Sequence, residues 1–273
     1  MIKQEDVTII IPTLSHTGEQ EYALEECLIS LRETCDIKII VAYNDFLGWD
    51  GDLDPDTIYL SEQGQCKAVN AAVATTNTPW IFVTNDDMIY APGWWERLVD
   101  HHIWKWGVIS PMLIEPRPGA PTFHTFFAGG AGGDFDKSKW LEYAADHMKN
   151  QYETRTGFNL PFLIKRELWD TVGGYDINYD PWGSNSDSDL EYKIKLAGVQ
   201  PYQNTSCVVY HFSQTSGTFE PRNQEYYHRN FAYFKEKWGF DRTDDGIWEA
   251  SFLIPTKEEG RIFNPEWENK YGH

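Results

Sequence analysis

The chain has 273 residues, a length that suits one large domain or two small ones. Hydrophobic residues make up 41% and charged residues 24%, a globular balance that excludes a disordered chain, and no apolar run approaches the roughly 20 residues of a spanning helix. The net charge of -19, from 42 acids against 23 bases, opposes docking on nucleic acid or an anionic membrane and favours a divalent cation as partner.

In chain order, residues 7–11 are β-branched and stop at Pro12, as a buried parallel strand does. Ala23, Leu24, Cys27, Leu28 and Leu31 then recur at helical spacing. Residues 37–42 predict a second strand ending in the turn-like Asn44-Asp45, and residues 58–60 a short third. Residues 64–74 predict a helix in which Ala68, Ala71 and Ala72 permit close packing. Residues 80–84 predict a fourth strand that runs straight into Asn85-Asp86-Asp87. Pro92-Gly93-Trp94-Trp95 opens another helix, with Pro near its first turn, and residues 108–113 close the series. This βαβαβ punctuation predicts an α/β fold, a mostly parallel central sheet with helices on both faces.

Residues 117–136 are rich in Gly, Pro and Phe and lack any period, so they predict a long functional loop. Residues 158–165 resume a strand pattern, and 188–197 predict an amphipathic helix with Leu190, Ile194 and Ala197 on one stripe. Residues 208–210 predict a strand ending at His211, and 224–238 an aromatic-rich helix before a polar tail. The four cysteines, Cys27, Cys35, Cys66 and Cys207, have no C-x-x-C spacing and predict free thiols in a reducing compartment. With no charged and apolar leader pattern, the expectation is a cytoplasmic protein without a transmembrane segment, in which the acceptor-like Asn204-Thr205-Ser206 is chance.

In an open parallel sheet, ligands bind beyond the carboxyl ends of the strands. Thr13-Leu14-Ser15, Asn44-Asp45, Asn85-Asp86-Asp87 and His211 all project from such ends. Asn/Asp runs after strands commonly form turns whose acids cap the next helix. Two adjacent carboxylates at the end of a buried strand, however, repel unless a cation joins them. Magnesium or manganese suits such hard oxygens, held by one or two carboxylates together with substrate phosphates, which points to a nucleoside diphosphate. The segment Trp182-Gly183-Ser184-Asn185-Ser186-Asp187-Ser188-Asp189-Leu190 is a helix start, with Ser186 as cap and acids in the positive first turn. The same geometry can aim an ionised carboxylate into a cleft as a general base. The residues by themselves leave both readings open.

Together these clusters resemble the nucleotide-sugar glycosyltransferases of the GT-A fold, above all the large inverting family 2, over residues 7–239. Thr8-Ile9-Ile10-Ile11-Pro12-Thr13 resembles the opening strand of the family, Asn44-Asp45 the acidic end of its second strand, and Gly64, Ala68, Asn70 and Ala72 its G-x-x-x-A-x-N-x-A helix. Val83-Thr84-Asn85-Asp86-Asp87 falls at its D-x-D metal motif, with Pro92-Gly93-Trp94 following. Gly173-Gly174-Tyr175-Asp176, Trp182-Gly183 and Asp187-x-Asp189-Leu190 resemble its acceptor-side acidic motif, and His211-Phe212-Ser213 and Phe234-x-x-Lys237-Trp238-Gly239 also have counterparts. Asn85, Ser186 and Lys193 stand where the family usually carries Asp, Glu and Arg.

The resemblance implies a single large domain. Its residues 1–115 would form the nucleotide-sugar half, 116–215 the acceptor and catalytic half, and 216–273 a terminal helix and tail. It implies transfer from a nucleoside-diphosphate sugar, with a UDP-sugar favoured, to a glycan or other hydroxyl. Mn2+ or Mg2+ would sit on Asp87 and His211, with Asp86 in support. Asp187 would be the base; Thr13, Asp45, Lys67 and Asn85 would contact the donor; Trp182 and Asp189 would face the acceptor, with residues 123–127 as acceptor loop. A retaining transferase and an inactive sugar- or nucleotide-binding module are the alternatives. A nucleotidyltransferase would need a basic loop after the first strand, and residues 12–16 contain no Lys or Arg.

Overall fold

The computed structural model of the chain describes residues 2–14, 17–44, 56–60, 63–99, 107–116, 124–149, 154–213, 215 and 220–239. Asp45, Phe123 and the tail beyond Gly239, all singled out above, lie outside the described residues.

The first half follows the expected alternation: β1 (Val7–Thr13), α1 (Gly18–Thr34), β2 (Lys38–Tyr43), β3 (Asp56–Tyr59), α2 (Gln65–Ala74), β4 (Trp80–Val83), β5 (Met88–Ile89), α3 (Trp94–Val99) and β6 (Val108–Glu115). The second half adds β7 (His124–Thr125), α4 (Lys137–His147), β8 (Thr154–Thr156), β9 (Phe162–Lys165), α5 (Arg166–Val172), α6 (Ser186–Leu196), β10 (Tyr202–His211) and α7 (Gln224–Trp238). All strands join one ten-stranded sheet in the order β3-β2-β1-β4-β9-β6-β10-β5, with β7 beside β6 and β8 beside β10.

Strands β3, β2, β1 and β4 are mutually parallel, as are β6 and β10. Between these groups β9 runs antiparallel to both β4 and β6, so one antiparallel strand interrupts the mostly parallel sheet. Strand β9 begins opposite Val83, at the carboxyl end of β4, and runs back from it. The segments leading into it therefore start from the site edge of the sheet.

The unbroken β-branched run of β1 reflects burial on both faces. Ile9 and Ile11 pack with Leu24, Cys27 and Leu28 of α1 and Trp94 of α3, while Ile10 packs against Ala68 and Ala72 of α2 on the other face. Helices α5, α6 and α7 share that second face through Trp169, Leu190 and Phe234. A third cluster, built on Trp140 and Ala144 of α4 with Tyr210 and Phe212, covers the far end of β10. Asn204 is 0% exposed and donates from Nδ2 to the Arg97 carbonyl at 2.9 Å, which agrees with its acceptor-like triplet being chance. Among the described residues no helix is long and apolar enough to cross a membrane.

Candidate active site

The carboxyl ends of β1, β4, β6 and β10 converge on a buried carboxylate–imidazole cluster. Strand β10 runs parallel to β6 with Tyr210 opposite Ile114, and antiparallel to β5 with His211 opposite Met88. This register sets the His211 ring between Glu115 and Asp87. Its Nδ1 lies 2.8 Å from Glu115 Oε1 and its Nε2 lies 3.2 Å from Asp87 Oδ2. Thr215 donates its hydroxyl to the same Asp87 oxygen at 2.7 Å. Asp87 Oδ1 is buried and has no hydrogen-bond partner among the described residues. Thr13 at the end of β1 donates to Asp86 Oδ2 at 2.5 Å.

The charges are strongly coupled. Burial alone would lower the pKa of His211, but the Asp87 and Glu115 carboxylates outweigh it and push it up to about 10. Burial would raise Asp87, yet His211 and the Thr215 hydroxyl hold it below the ordinary carboxylate range. For Asp86, burial and then the Asp87 charge outweigh the Thr13 hydroxyl and His211 and push it up to about 7. Two carboxylates and one imidazole at a strand edge, with one carboxylate oxygen unpartnered, suit a hard divalent ion. Among the described residues no group of three or more His, Cys, Asp or Glu side chains is arranged to hold a metal. A cation at Asp87 and His211 therefore needs further oxygens from a bound ligand, as magnesium-type sites on substrate phosphates do.

The second cluster is stitched to the first by α2. Asp180 caps this helix from outside its own segment: the amides of Cys66 and Lys67 donate to its carboxylate at 2.8 and 3.1 Å. Burial raises Asp180, and these amides oppose the rise. The Gln65 amide N–H donates to the Pro181 carbonyl at 3.2 Å, and Gln65 Nε2 reaches Asn85 Oδ1 at 3.5 Å. Gly183 has φ +68, and a Cβ built there would come within 2.6 Å of Gln65 Oε1. One side chain thus links the Asn85-Asp86-Asp87 turn to the segment that leads into α6. Asp187, half-buried in the first turn of α6, accepts a 2.7 Å hydrogen bond from the Tyr175 hydroxyl.

Asp86, Asp87 and His211 are thus gathered at one edge, with Thr13 and Asn85 beside them. Thr13 is 2% exposed and its hydroxyl is occupied by Asp86. Lys67 is half-buried on α2 near Asp180, and Trp182 is half-buried next to Gly183. Asp189 departs from the expectation of an acceptor contact. It is 0% exposed, and its Oδ1 accepts from Trp238 Nε1 at 2.8 Å and from Lys237 Nζ at 2.7 Å of α7. Residues two apart on a helix do not share a face, so with Asp187 half-buried Asp189 turns into the core. Residues that sequence reasoning missed are Glu115, Thr215 and Tyr175 as a partner of Asp187. In the expected acceptor loop, Phe127 is 60% exposed, while Phe126 stacks on Tyr143 at 4.0 Å.

Comparison with known proteins agrees with this fold. The profile described as Glycosyl transferase family 2 matches residues 51–112, which hold α2, β4 and the Asn85-Asp86-Asp87 turn. A curated relative, N-acetylgalactosaminyltransferase 6 of Drosophila melanogaster, is 26% identical over 166 residues, covering 51% of this chain and 24% of its own length. The chain thus spans about a quarter of that relative.

Among solved structures, GalNAc-T7 with UDP, GalNAc and Mn2+ superposes with a TM-score of 0.60 at 14% identity, covering 97% of this chain and 55% of its own. S. aureus TarS 1-349 with UDP-GlcNAc gives 0.53 at 10% identity, covering 96% of this chain and 83% of its own. The mannosyltransferase PcManGT from Pyrobaculum calidifontis with GDP-Man and Mn2+ gives 0.51 at 16%, covering 98% and 73%. With the profile on the α2–β4 segment and these neighbours covering nearly all of the chain, this protein has the GT-A fold and resembles the family 2 glycosyltransferases.

Proposed function

We propose that the chain is a metal-dependent glycosyltransferase. It moves a sugar from a nucleoside-diphosphate sugar, a UDP-sugar foremost, to a hydroxyl of a glycan or other acceptor with inversion. The observation that carries this reading is the buried, unpartnered Asp87 Oδ1 beside His211 at the carboxyl ends of the strands. In this reading Asp87 and His211 hold Mn2+ or Mg2+, with Asp86 in support and diphosphate oxygens completing the shell. Bound there, the ion supplies countercharge for the diphosphate that leaves. Relatives of the same fold that carry Mn2+ or UDP-linked ligands support the choice of cation and donor.

The chain's own residues do the rest. Glu115 holds His211 Nδ1, which fixes the ring plane and aims Nε2 at the Asp87 side. Residues 1–115 serve mainly the donor, with Asp45, Asn85 and Lys67 as its contacts, and residues 116–215 serve mainly the acceptor. Trp182 offers an aromatic face to a sugar ring. Asp187 takes the proton of the acceptor hydroxyl as its oxygen attacks the anomeric carbon, and the bond to the diphosphate breaks on the opposite side. The four free thiols support the cytoplasm as the compartment.

Many transferases hydrolyse their donor slowly, so the test needs no known acceptor. Binding and hydrolysis of UDP-N-acetylglucosamine, UDP-N-acetylgalactosamine and GDP-mannose are measured with and without Mn2+. The expected result is one metal-dependent donor whose turnover Asp87→Ala abolishes. Asp187→Asn is expected to keep donor binding and to lose about 10²–10⁴-fold in turnover. Absence of binding by every nucleotide sugar with Mn2+ present would overturn the transferase reading in favour of a non-catalytic module.

A further inference from the structure

We propose that Tyr175 is a positioning residue for the base, pinned by Asn70 of α2 so that its hydroxyl holds the Asp187 carboxylate in one orientation. This rests on the reading of Asp187 as the base. Asn70 grips both polar groups of the Tyr175 backbone: its Oδ1 accepts from the Tyr175 amide at 3.0 Å and its Nδ2 donates to the Tyr175 carbonyl at 2.8 Å. The Tyr175 ring is 3% exposed and meets Trp169 edge-on at 5.5 Å and Phe162 at 6.5 Å. The preceding Gly174 has φ +63, and a Cβ there would fall 2.7 Å from Asn70 Oδ1 and 2.9 Å from the Trp169 ring. A side chain at Gly174 would therefore drive apart the two groups that fix Tyr175.

With backbone and ring both held, the only free torsion is that of the hydroxyl. It points at Asp187 Oδ1, 2.7 Å away. Burial, and then the Asp187 charge, push Tyr175 well above its ordinary range, so it stays protonated and donates. Cys66 of α2 also feels the Asp187 charge, and burial first of all holds its thiol protonated. A donated hydrogen bond favours the ionised carboxylate and stops it rotating. Placement of a catalytic group to within about 1 Å can be worth 10²-fold.

Donor hydrolysis, with water in place of the acceptor, is followed for the wild type, Asp187→Asn and Tyr175→Phe under saturating Mn2+. The expected result for Tyr175→Phe is a kcat lower by about tenfold or more, an unchanged donor KM, and an acid limb of the kcat profile moved to higher pH. Wild-type kcat and an unmoved limb in Tyr175→Phe, with Asp187→Asn inactive, would overturn this proposal and leave the base reading intact. A raised KM at unchanged kcat would also overturn it, since that is what a purely structural hydroxyl produces. Full turnover in Asp187→Asn would instead remove the base reading, and this proposal with it. If Tyr175→Phe does not fold, Asn70→Ala keeps the hydroxyl but frees the backbone. The same loss of kcat is expected there, and wild-type kcat would overturn the proposal.

Discussion

Gly183 shows how a single missing side chain can connect two halves of a site. Its φ of +68 and its 2.6 Å clearance from Gln65 Oε1 mean that an added methyl meets the far end of a flexible side chain. Gln65 can swing away at little cost, but it then leaves Asn85. Gly183→Ala is therefore expected to lose about 1–2 kcal/mol for the left-handed backbone and, separately, to slow donor hydrolysis. Gly198 has φ +81 with nothing within 4 Å of its added Cβ, so Gly198→Ala should show a similar loss of stability with full activity. Equal activities in the two variants would mean that Gln65 does not couple the two clusters. At this scale the sequence is readable where polar residues follow a strand: Asp87 and His211 both do so, and the fold sets them side by side. Glu115 obeys the same rule but sits two residues past the strand predicted over 108–113, because β6 continues through Ile114 to Glu115. Thr215 carries no local signal, because only the return of the chain past β10 brings its hydroxyl to Asp87.

The elements that sequence periodicity found are those whose burial is simple. Strand β1 is buried on both faces and α7 was bounded correctly at Gln224–Trp238. For strand β10 the sequence predicts only the apolar half, because Gln203, Asn204 and Ser206 are polar yet buried, Gln203 and Asn204 donating to the Pro111 and Arg97 carbonyls. Helix α4 is capped by Asp136 and buries Trp140 and Ala144, but it directly follows an aperiodic glycine-rich stretch that hides its start in the sequence. Helices α6 and α7 are joined by ions as well as apolar packing. Lys237 Nζ lies 2.6 Å from Asp176 Oδ2 and 2.7 Å from Asp189 Oδ1, all of them largely buried. Removing one partner of such a group costs about 3–5 kcal/mol. Asp189 keeps Trp238 and Lys193, so Lys237→Met should sit near about 3 kcal/mol, or roughly 6–12 °C in melting midpoint. Burial opposes the ionisation of Asp176, but Lys237 outweighs it and holds Asp176 below its ordinary range; Lys237 is in turn held above its own. The carboxylate's contribution is complete above the unfolded value of about 3.9 and fades as pH falls through the lowered folded value. That of the lysine is complete below about 10.4 and fades only as pH rises through the raised one. The difference in midpoint between wild type and Lys237→Met is thus expected to be flat from about pH 5 to 9 and to shrink below about pH 4. A difference that grows on acidification would exclude this ion pair as the anchor of α7.

For the whole molecule, the alternation of strands and helices made the fold class legible, while the antiparallel insertion of β9 did not show, because pairing partners are set by tertiary packing and leave no periodic trace. Net charge is a property of the whole chain as well, and it acts in opposite directions on the two proposed ligands. A field from -19 charges attracts a divalent cation and repels a nucleoside-diphosphate sugar, and salt screens both effects. Between about 0.01 and 0.15 M salt the Debye length falls from about 30 to about 8 Å. Over that range Mn2+ affinity is expected to weaken, while the donor KM measured at saturating Mn2+ should fall or stay level. Calorimetric titration of Mn2+ and donor hydrolysis at matched ionic strengths test the pair of signs. If the donor KM instead rises with salt, local cations such as Lys67 govern donor capture over the net charge, and Lys67→Met should then abolish the salt dependence.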